Sequence, residues 1–309
     1  MSTASIAPLP PNSALSANLI CMASMLSWAA ALPAAEFLIG RIPMVEMVAL
    51  RVALAALCLL PIWYLAEGRA ALRSASWGRG TLIGSLFALA ALTMLWSQSL
   101  TDAVTFAIIS TTLPICSLLI EVALDGRRIT AALLLGVALS IIGGIVAYSA
   151  GLGDFGLGLG ALVGLVSNVI YAIASRLAVS ALPGMSALGR TTLCLSGAAV
   201  MAGIAAIVHT IMTGGAGWGE VGLTQVAALA VYAIFGMALS FVLWLRAIGQ
   251  LGIGISSMHM NATAFYVMIF AWILGAAWIW MQALGALIVA VGVLIAQGVI
   301  PIGARRRAA

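Results

Sequence analysis

Lysine is absent from this sequence, and other chemically active residues are scarce: eight Asp and Glu, two His and four Cys in 309 residues. A pI near 9.4 would ordinarily raise nucleic acid as a partner. The 13 basic residues are all arginines, scattered in ones, twos and threes between apolar runs, and do not make the clustered basic face that phosphate binding needs. The two histidines, His209 and His259, fall in separate apolar runs, so no pair has metal-ligand spacing, and neither a metal nor another cofactor is expected. Carboxylates sit only near the ends of apolar runs, which leaves an intramembrane enzyme without a nucleophile and base. No Walker motif is present, so ATP does not drive this chain directly. Cys21, Cys58, Cys116 and Cys194 lie inside apolar runs without C-x-x-C spacing and read as free buried thiols.

What the chain has in abundance is apolar surface. With 64% hydrophobic and 7% charged residues, and a mean hydropathy of +1.22, its solvent must be lipid. A bilayer core takes about 20 apolar residues per helix. Runs at 17–37, 44–65, 80–99, 103–123, 130–149, 157–178, 190–212, 223–245, 252–274 and 278–298 predict ten spans. The runs are continuously apolar, whereas barrel strands would alternate, so the expected class is an all-α integral membrane protein. Residues 1–16, with Pro8, Pro10 and Pro11, read as a disordered tail, and 299–309 as a basic cytoplasmic tail.

Counted from a cytoplasmic N-terminus, the even-numbered loops and the C-terminal tail carry 11 arginines, and the opposite loops carry Arg41 alone. The positive-inside rule then places both termini in the cytoplasm and requires an even number of spans. Residues 17–149 and 157–298 also read as two halves. Ser27 matches Ser167 at an offset of 140, Pro43 matches Pro183 at the same offset, and Arg51 matches Arg190 at 139. Gly136 and Gly143 match Gly285 and Gly292 at 149. Five spans is an odd number, so the two repeats must be inverted in the membrane. The glycines recur every seven residues on one face, a close-packing stripe within the chain or between the protomers of a homodimer.

Three segments carry a resemblance: ALRVALAAL around Arg51, SLTDAVTFAIISTTLPICSLLIEVALDGR ending at Arg127, and QALGALIVAVGVLIA from Gln282. In these the chain resembles the drug/metabolite transporter superfamily, in its ten-helix EamA-like branch. The second half departs from the pattern, with Ala264 where a repeat of Pro114 would fall. The resemblance implies efflux of an amino acid or a drug across a bacterial inner membrane, and a central cavity among spans one, three, four, six, eight and nine.

Polar residues within spans face a cavity or another helix, because hydrocarbon leaves them unpartnered. Span nine carries Ser256, His259, Thr263 and Tyr266 on one helical face, with Asn261 off that face. Span six offers Asn168 and Tyr171. Span one offers Ser27 and Trp28, and span four runs through Thr111 into Pro114, whose missing N–H frees a carbonyl one turn back. Trp28, Asn168, Tyr171, His259 and Asn261, with Ser27 and Thr111, are therefore the candidate substrate contacts. Each hydroxyl is equally explained by bonding its own helix or a neighbour.

Arg51 lies eight residues after Pro43, roughly 12 Å into the membrane at 1.5 Å per residue. Its expected partner is Glu36 or Glu46 near the outer mouth, and its alternative role is to attract a substrate carboxylate. Glu121 is read as an inner gate. The expected partners of the chain are thus the bilayer and a small-molecule solute, and its expected function is export by alternating access. A non-transporting sensor is the remaining alternative.

Overall fold

The computed structural model describes residues 11–125, 130–148, 155–296 and 300. Among them every regular element is helical. In chain order these are α1 (Pro11–Ala29), α2 (Ala31–Glu36), α3 (Met44–Ser74), α4 (Trp77–Leu100), α5 (Ala103–Ser110), α6 (Leu113–Asp125), α7 (Ala131–Tyr148), α8 (Phe155–Ser180), α9 (Ala187–Thr213) and α10 (Leu223–Ala230). A π-helical segment, Val231–Leu239, follows, and then α11 (Ser240–Met258), α12 (Met260–Ile273) and α13 (Trp280–Ala296).

Six segments are long and apolar enough to cross a bilayer: Leu15–Glu36, Met44–Ser74, Trp77–Leu100, Gly158–Ser180, Ala187–Thr213 and Leu223–Leu251. Four shorter apolar helices accompany them, at Ala103–Ser117, Ala131–Gly143, Met260–Ile273 and Trp280–Ile295. Leu82 is 68% exposed and Leu57 65%, on outer faces that water would not tolerate across a whole bundle. The chain is a multi-pass membrane protein.

Local chemistry sets several of the helix ends. Asp102 caps α5 by accepting from the Thr105 amide at 2.9 Å, and Ser186 caps α9 by accepting from the Gly189 amide at 2.9 Å. Gly214, at φ 63°, closes α9 in the left-handed conformation that suits glycine. At the other end of α1, Pro11 opens the helix inside the stretch read as a tail. Proline is tolerated there because the first helical N–H has no partner in any case.

Departures from the expected spans are informative. The loop expected around Arg246 is helical, within α11, since one arginine and two nearby glycines do not stop a helix. The expected fourth span breaks between α5 and α6 at Thr111 and Thr112, next to Pro114. The ninth breaks at His259, so the polar face read across Ser256 to Tyr266 is not one continuous stripe. The Arg127–Arg128 loop, the Gly151 to Gly156 loop and the basic tail are outside the described residues, apart from Phe155 and Gly156 at the start of α8.

Helices pack where small residues let backbones meet. α4 crosses α8 and α9, α3 crosses α9, α1 crosses α11, α5 meets α12 and α7 lies along α13. Gly143 abuts the Gly285 carbonyl and Val289, and Gly136, Gly285 and Gly292 are buried as well. The glycine stripe is therefore used inside the chain, between α7 and α13, and does not argue for a homodimer.

Candidate substrate cavity

Where the breaks and crossings leave the helices apart, a cavity opens between them. α1 contributes Ser24, Met25 and Trp28, α4 contributes Phe87 and Met94, and α8 contributes Ser167, Asn168 and Tyr171. Opposite them stand Gly236 and Met237 of the π-helical segment and Ser240, Phe241 and Trp244 of α11. Phe106, Ser110 and Leu113 flank the α5–α6 break, Met260 opens α12, and Arg51 of α3 brings the single charge among the described lining residues.

Aromatic rings form most of the wall. Phe87 meets Phe241 edge-on at 4.7 Å and Tyr171 at 5.5 Å between centroids. Trp28 tilts against Phe106 at 6.5 Å. Such contacts stiffen the wall and leave π faces available to a solute.

The polar groups are largely committed to irregular backbone. The Asn168 amide donates to the Ile109 carbonyl at 2.9 Å and to the Thr112 hydroxyl at 3.0 Å, which ties α8 to the α5–α6 break. Thr111 is fully buried and donates to the Ile108 carbonyl at 2.6 Å, within its own turn. Widened π-helical turns leave carbonyls poorly served, and neighbouring side chains take them up. Ser27 donates to the Phe235 carbonyl at 2.7 Å and Ser24 to the Ser240 carbonyl at 2.7 Å. Arg51 donates from Nη2 to the Gly236 carbonyl at 3.1 Å. Gly236 itself has no room for a side chain, since a Cβ there would stand 2.2 Å from the Ala31 Cβ.

Of the expected contacts, Trp28, Asn168 and Tyr171 line this cavity, while Ser27, Thr111, His259, Asn261 and Pro114 are not among its lining residues. His259 stands at the α11–α12 junction, and Asn261 is half-buried with its Oδ1 unpartnered. The expected gate pair is corrected. Arg51 pairs with neither Glu36 nor Glu46: Glu36 accepts from the Gln98 amide at 3.0 Å, and Glu46 meets His209 and Thr210, both at 2.8 Å. Glu36 ends α2 on an exposed turn, and Glu46 is held toward α9, so neither reaches the guanidinium. Glu121 lies on α6, and its side chain is outside the described residues. Sequence reasoning missed Phe87, Phe106, Phe241, Met94 and Gly236. A Phe or Met facing a cavity looks the same in sequence as one facing lipid.

Residues 15–149 match the EamA-like transporter family. The match covers the first of the two expected halves. No curated protein matches the chain. Among solved structures, one crystal structure of a protein 19% identical superposes with a TM-score of 0.66, over 91% of this chain and 97% of that one. At that identity the likeness speaks to the fold alone, and it extends through both halves, beyond the stretch matched by the family.

Proposed function

We propose that this chain is a secondary transporter of ten membrane spans in two inverted halves, which exports a small amphiphilic metabolite of amino-acid size from the bacterial cytoplasm by alternating access. The observation that carries this reading is the position of the cavity, walled by helices from both halves. Its aromatic lining, with a few polar groups among the rings, suits a solute with an apolar body and a polar end. The family match over residues 15–149 adds transport as the expected activity.

The inverted repeat is supported by bonds that change places when the halves are exchanged. Ser27 of α1 donates to the Phe235 carbonyl, and Ser167 of α8 donates to the Ala90 carbonyl of α4. The two serines are 140 residues apart and the two acceptors 145. Helix crossings follow the same exchange: α1 against α11 corresponds to α8 against α4, while α3 with α9, α5 with α12 and α7 with α13 pair each element with its own counterpart. Two halves that meet this way can rock about a central site.

Transport is tested by loading reconstituted vesicles with labelled amino acids and related amphiphiles. At least one should move down its gradient, saturably. Trp28→Ala should cut that rate about tenfold, as expected for an aromatic wall worth ~1.4 kcal/mol. His259→Ala should leave it within about twofold, since the cavity lies elsewhere. Vesicles that pass none of the panel, or a Trp28→Ala protein as active as the parent, would overturn the proposal.

The orientation is tested separately. After Cys58→Ser removes the partly exposed thiol, an impermeant maleimide applied to intact cells should label Asp154→Cys and spare Arg127→Cys, because the arginine asymmetry puts the latter inside. The opposite labelling would reverse the topology.

A further inference from the structure

Arg51 is 1% exposed. Arg51 is nonetheless one of the residues lining the cavity, and among the described lining residues it is the one that carries a charge. No described residue of the lining brings a counter-charge to it. Its immediate partners are all neutral: Nη1 donates to the Tyr232 hydroxyl at 3.0 Å and approaches the Met94 sulfur at 3.9 Å, and Nη2 donates to the Gly236 carbonyl at 3.1 Å. The guanidinium carbon lies 3.9 Å from the centre of the Tyr232 ring, a cation–π contact. These contacts orient the group without cancelling its charge.

One edge of the fork remains open. The Nε–H has no partner, and Nη2 has two N–H groups with one acceptor between them. Nε and Nη2 form the side of the guanidinium that meets a carboxylate with two parallel hydrogen bonds. A buried donor left without a partner is costly, and so is a buried cation without a counter-charge. Both deficits lie on the same residue, in the wall of a cavity, and a single anionic group would relieve both. The Nε–H is covered in this conformation, and pairing it with a carboxylate requires the guanidinium to turn toward the cavity.

The rest of the lining says what the remainder of the anion is. Phe87, Tyr171 and Phe241 form a packed ring cluster, and Trp28 and Trp244 stand on α1 and α11. An apolar body of ring size fits such walls, whereas a small hydrated inorganic anion would lose its water to them. Among the described lining residues there is no Asp or Glu, so the ammonium of a cation, or of a zwitterion whose carboxylate pairs with Arg51, would find no counter-charge there.

Resting on the transporter reading above, we infer that the solute is a monoanionic carboxylate with an apolar body, preferred over the zwitterionic amino acid of the same shape, and that Arg51 decides the preference. The test uses four near-isosteric probes on the full chain: 3-phenylpropionate (anion), phenylalanine (zwitterion), 2-phenylethylamine (cation) and 3-phenylpropionamide (neutral). Binding is read by ligand-dependent thermal shift in detergent, and transport by uptake into vesicles.

The wild-type chain should bind and carry 3-phenylpropionate at least about tenfold better than the other three, the ratio one charge-assisted pair sustains. Arg51→Gln should erase the preference for the anion over the amide. Arg51→Lys should restore part of it, because the charge returns without the fork. A mere strut between α3 and the π-helical segment would lower stability without changing the ranking of the probes. If Arg51→Gln does not fold, the wild-type ranking decides by itself. Phenylalanine or the amine equalling the anion overturns the inference, as does an Arg51→Gln protein that keeps the anion preference. Transport of another panel solute with no response to 3-phenylpropionate also overturns it and leaves the transporter reading standing. Passage of no solute at all overturns both.

Discussion

Gly84→Leu is expected to yield no folded, monodisperse protein in detergent. A Cβ at position 84 would stand 2.3 Å from the Cys194 carbonyl oxygen and 2.4 Å from the Ala198 nitrogen, both backbone atoms of α9. Backbone cannot swing aside as a side chain does, so α4 and α9 must part. The same surface closes from the other side, where a Cβ on Gly197 would meet the Thr81 Cα at 2.4 Å. Overpacking a core ordinarily costs about 1–3 kcal/mol. The cost here is greater, because helices in lipid associate through close packing and have no hydrophobic drive to return to. Gly203→Ala, on α9, is the control: nothing lies within 4 Å of a Cβ there. Thermal unfolding followed by size exclusion should show loss of the monodisperse peak for Gly84→Leu and little change for Gly203→Ala. Equal behaviour of Gly84→Leu and the parent would mean that α4 and α9 do not meet there.

Asn168→Ala is expected to abolish transport and lower the melting temperature together. The amide secures the broken fourth span through Ile109 and Thr112, and Ser110 and Leu113 on either side of that break line the cavity. Removing two buried hydrogen bonds costs about 1–3 kcal/mol, and the break is then free to shift against α8. Asn168→Asp should be no better, because a carboxylate cannot donate to the Ile109 carbonyl. A variant with normal stability and no transport would instead make Asn168 a direct solute contact. Transport rate and melting curve measured on the same preparation separate the two roles.

The legible parts of the structure are those written in long runs. α4, expected at 80–99, occupies Trp77–Leu100, and α9, expected at 190–212, occupies Ala187–Thr213, since each is an unbroken apolar stretch ended by a strong local signal. Asn168 and Tyr171 stood out because polar groups in hydrocarbon are conspicuous. Arg51 stood out for the same reason, but its partner did not. Glu36 and Glu46 are its nearest acids in the sequence, yet they are occupied by Gln98 and by His209 with Thr210. Tyr232 and Gly236, which hold it instead, come from the other half of the chain. His259 and Asn261 are equally conspicuous in the sequence, yet of this stretch it is Met260, between them, that lines the cavity.

The sequence by itself determined the solvent of this protein, its helical class and where most of its helices begin and end. Those properties depend on composition summed along contiguous residues, and no distant contact can reverse them. Its offsets between Ser27 and Ser167, and between Gly136 and Gly285, are the sequence's support for the proposed repeat. Tertiary structure alone decided which carbonyls of the π-helical segment are served by Ser27 and Arg51, which carbonyl of α11 is served by Ser24, and which Phe and Met residues face a cavity instead of lipid. In a chain this apolar, both sides of a helix look alike, and only the arrival of another helix tells an inner face from an outer one. The open edge of Arg51 belongs to that second kind. Its charge is visible in one letter, but that no described lining residue carries the opposite charge appears only when the neighbouring helices are in place.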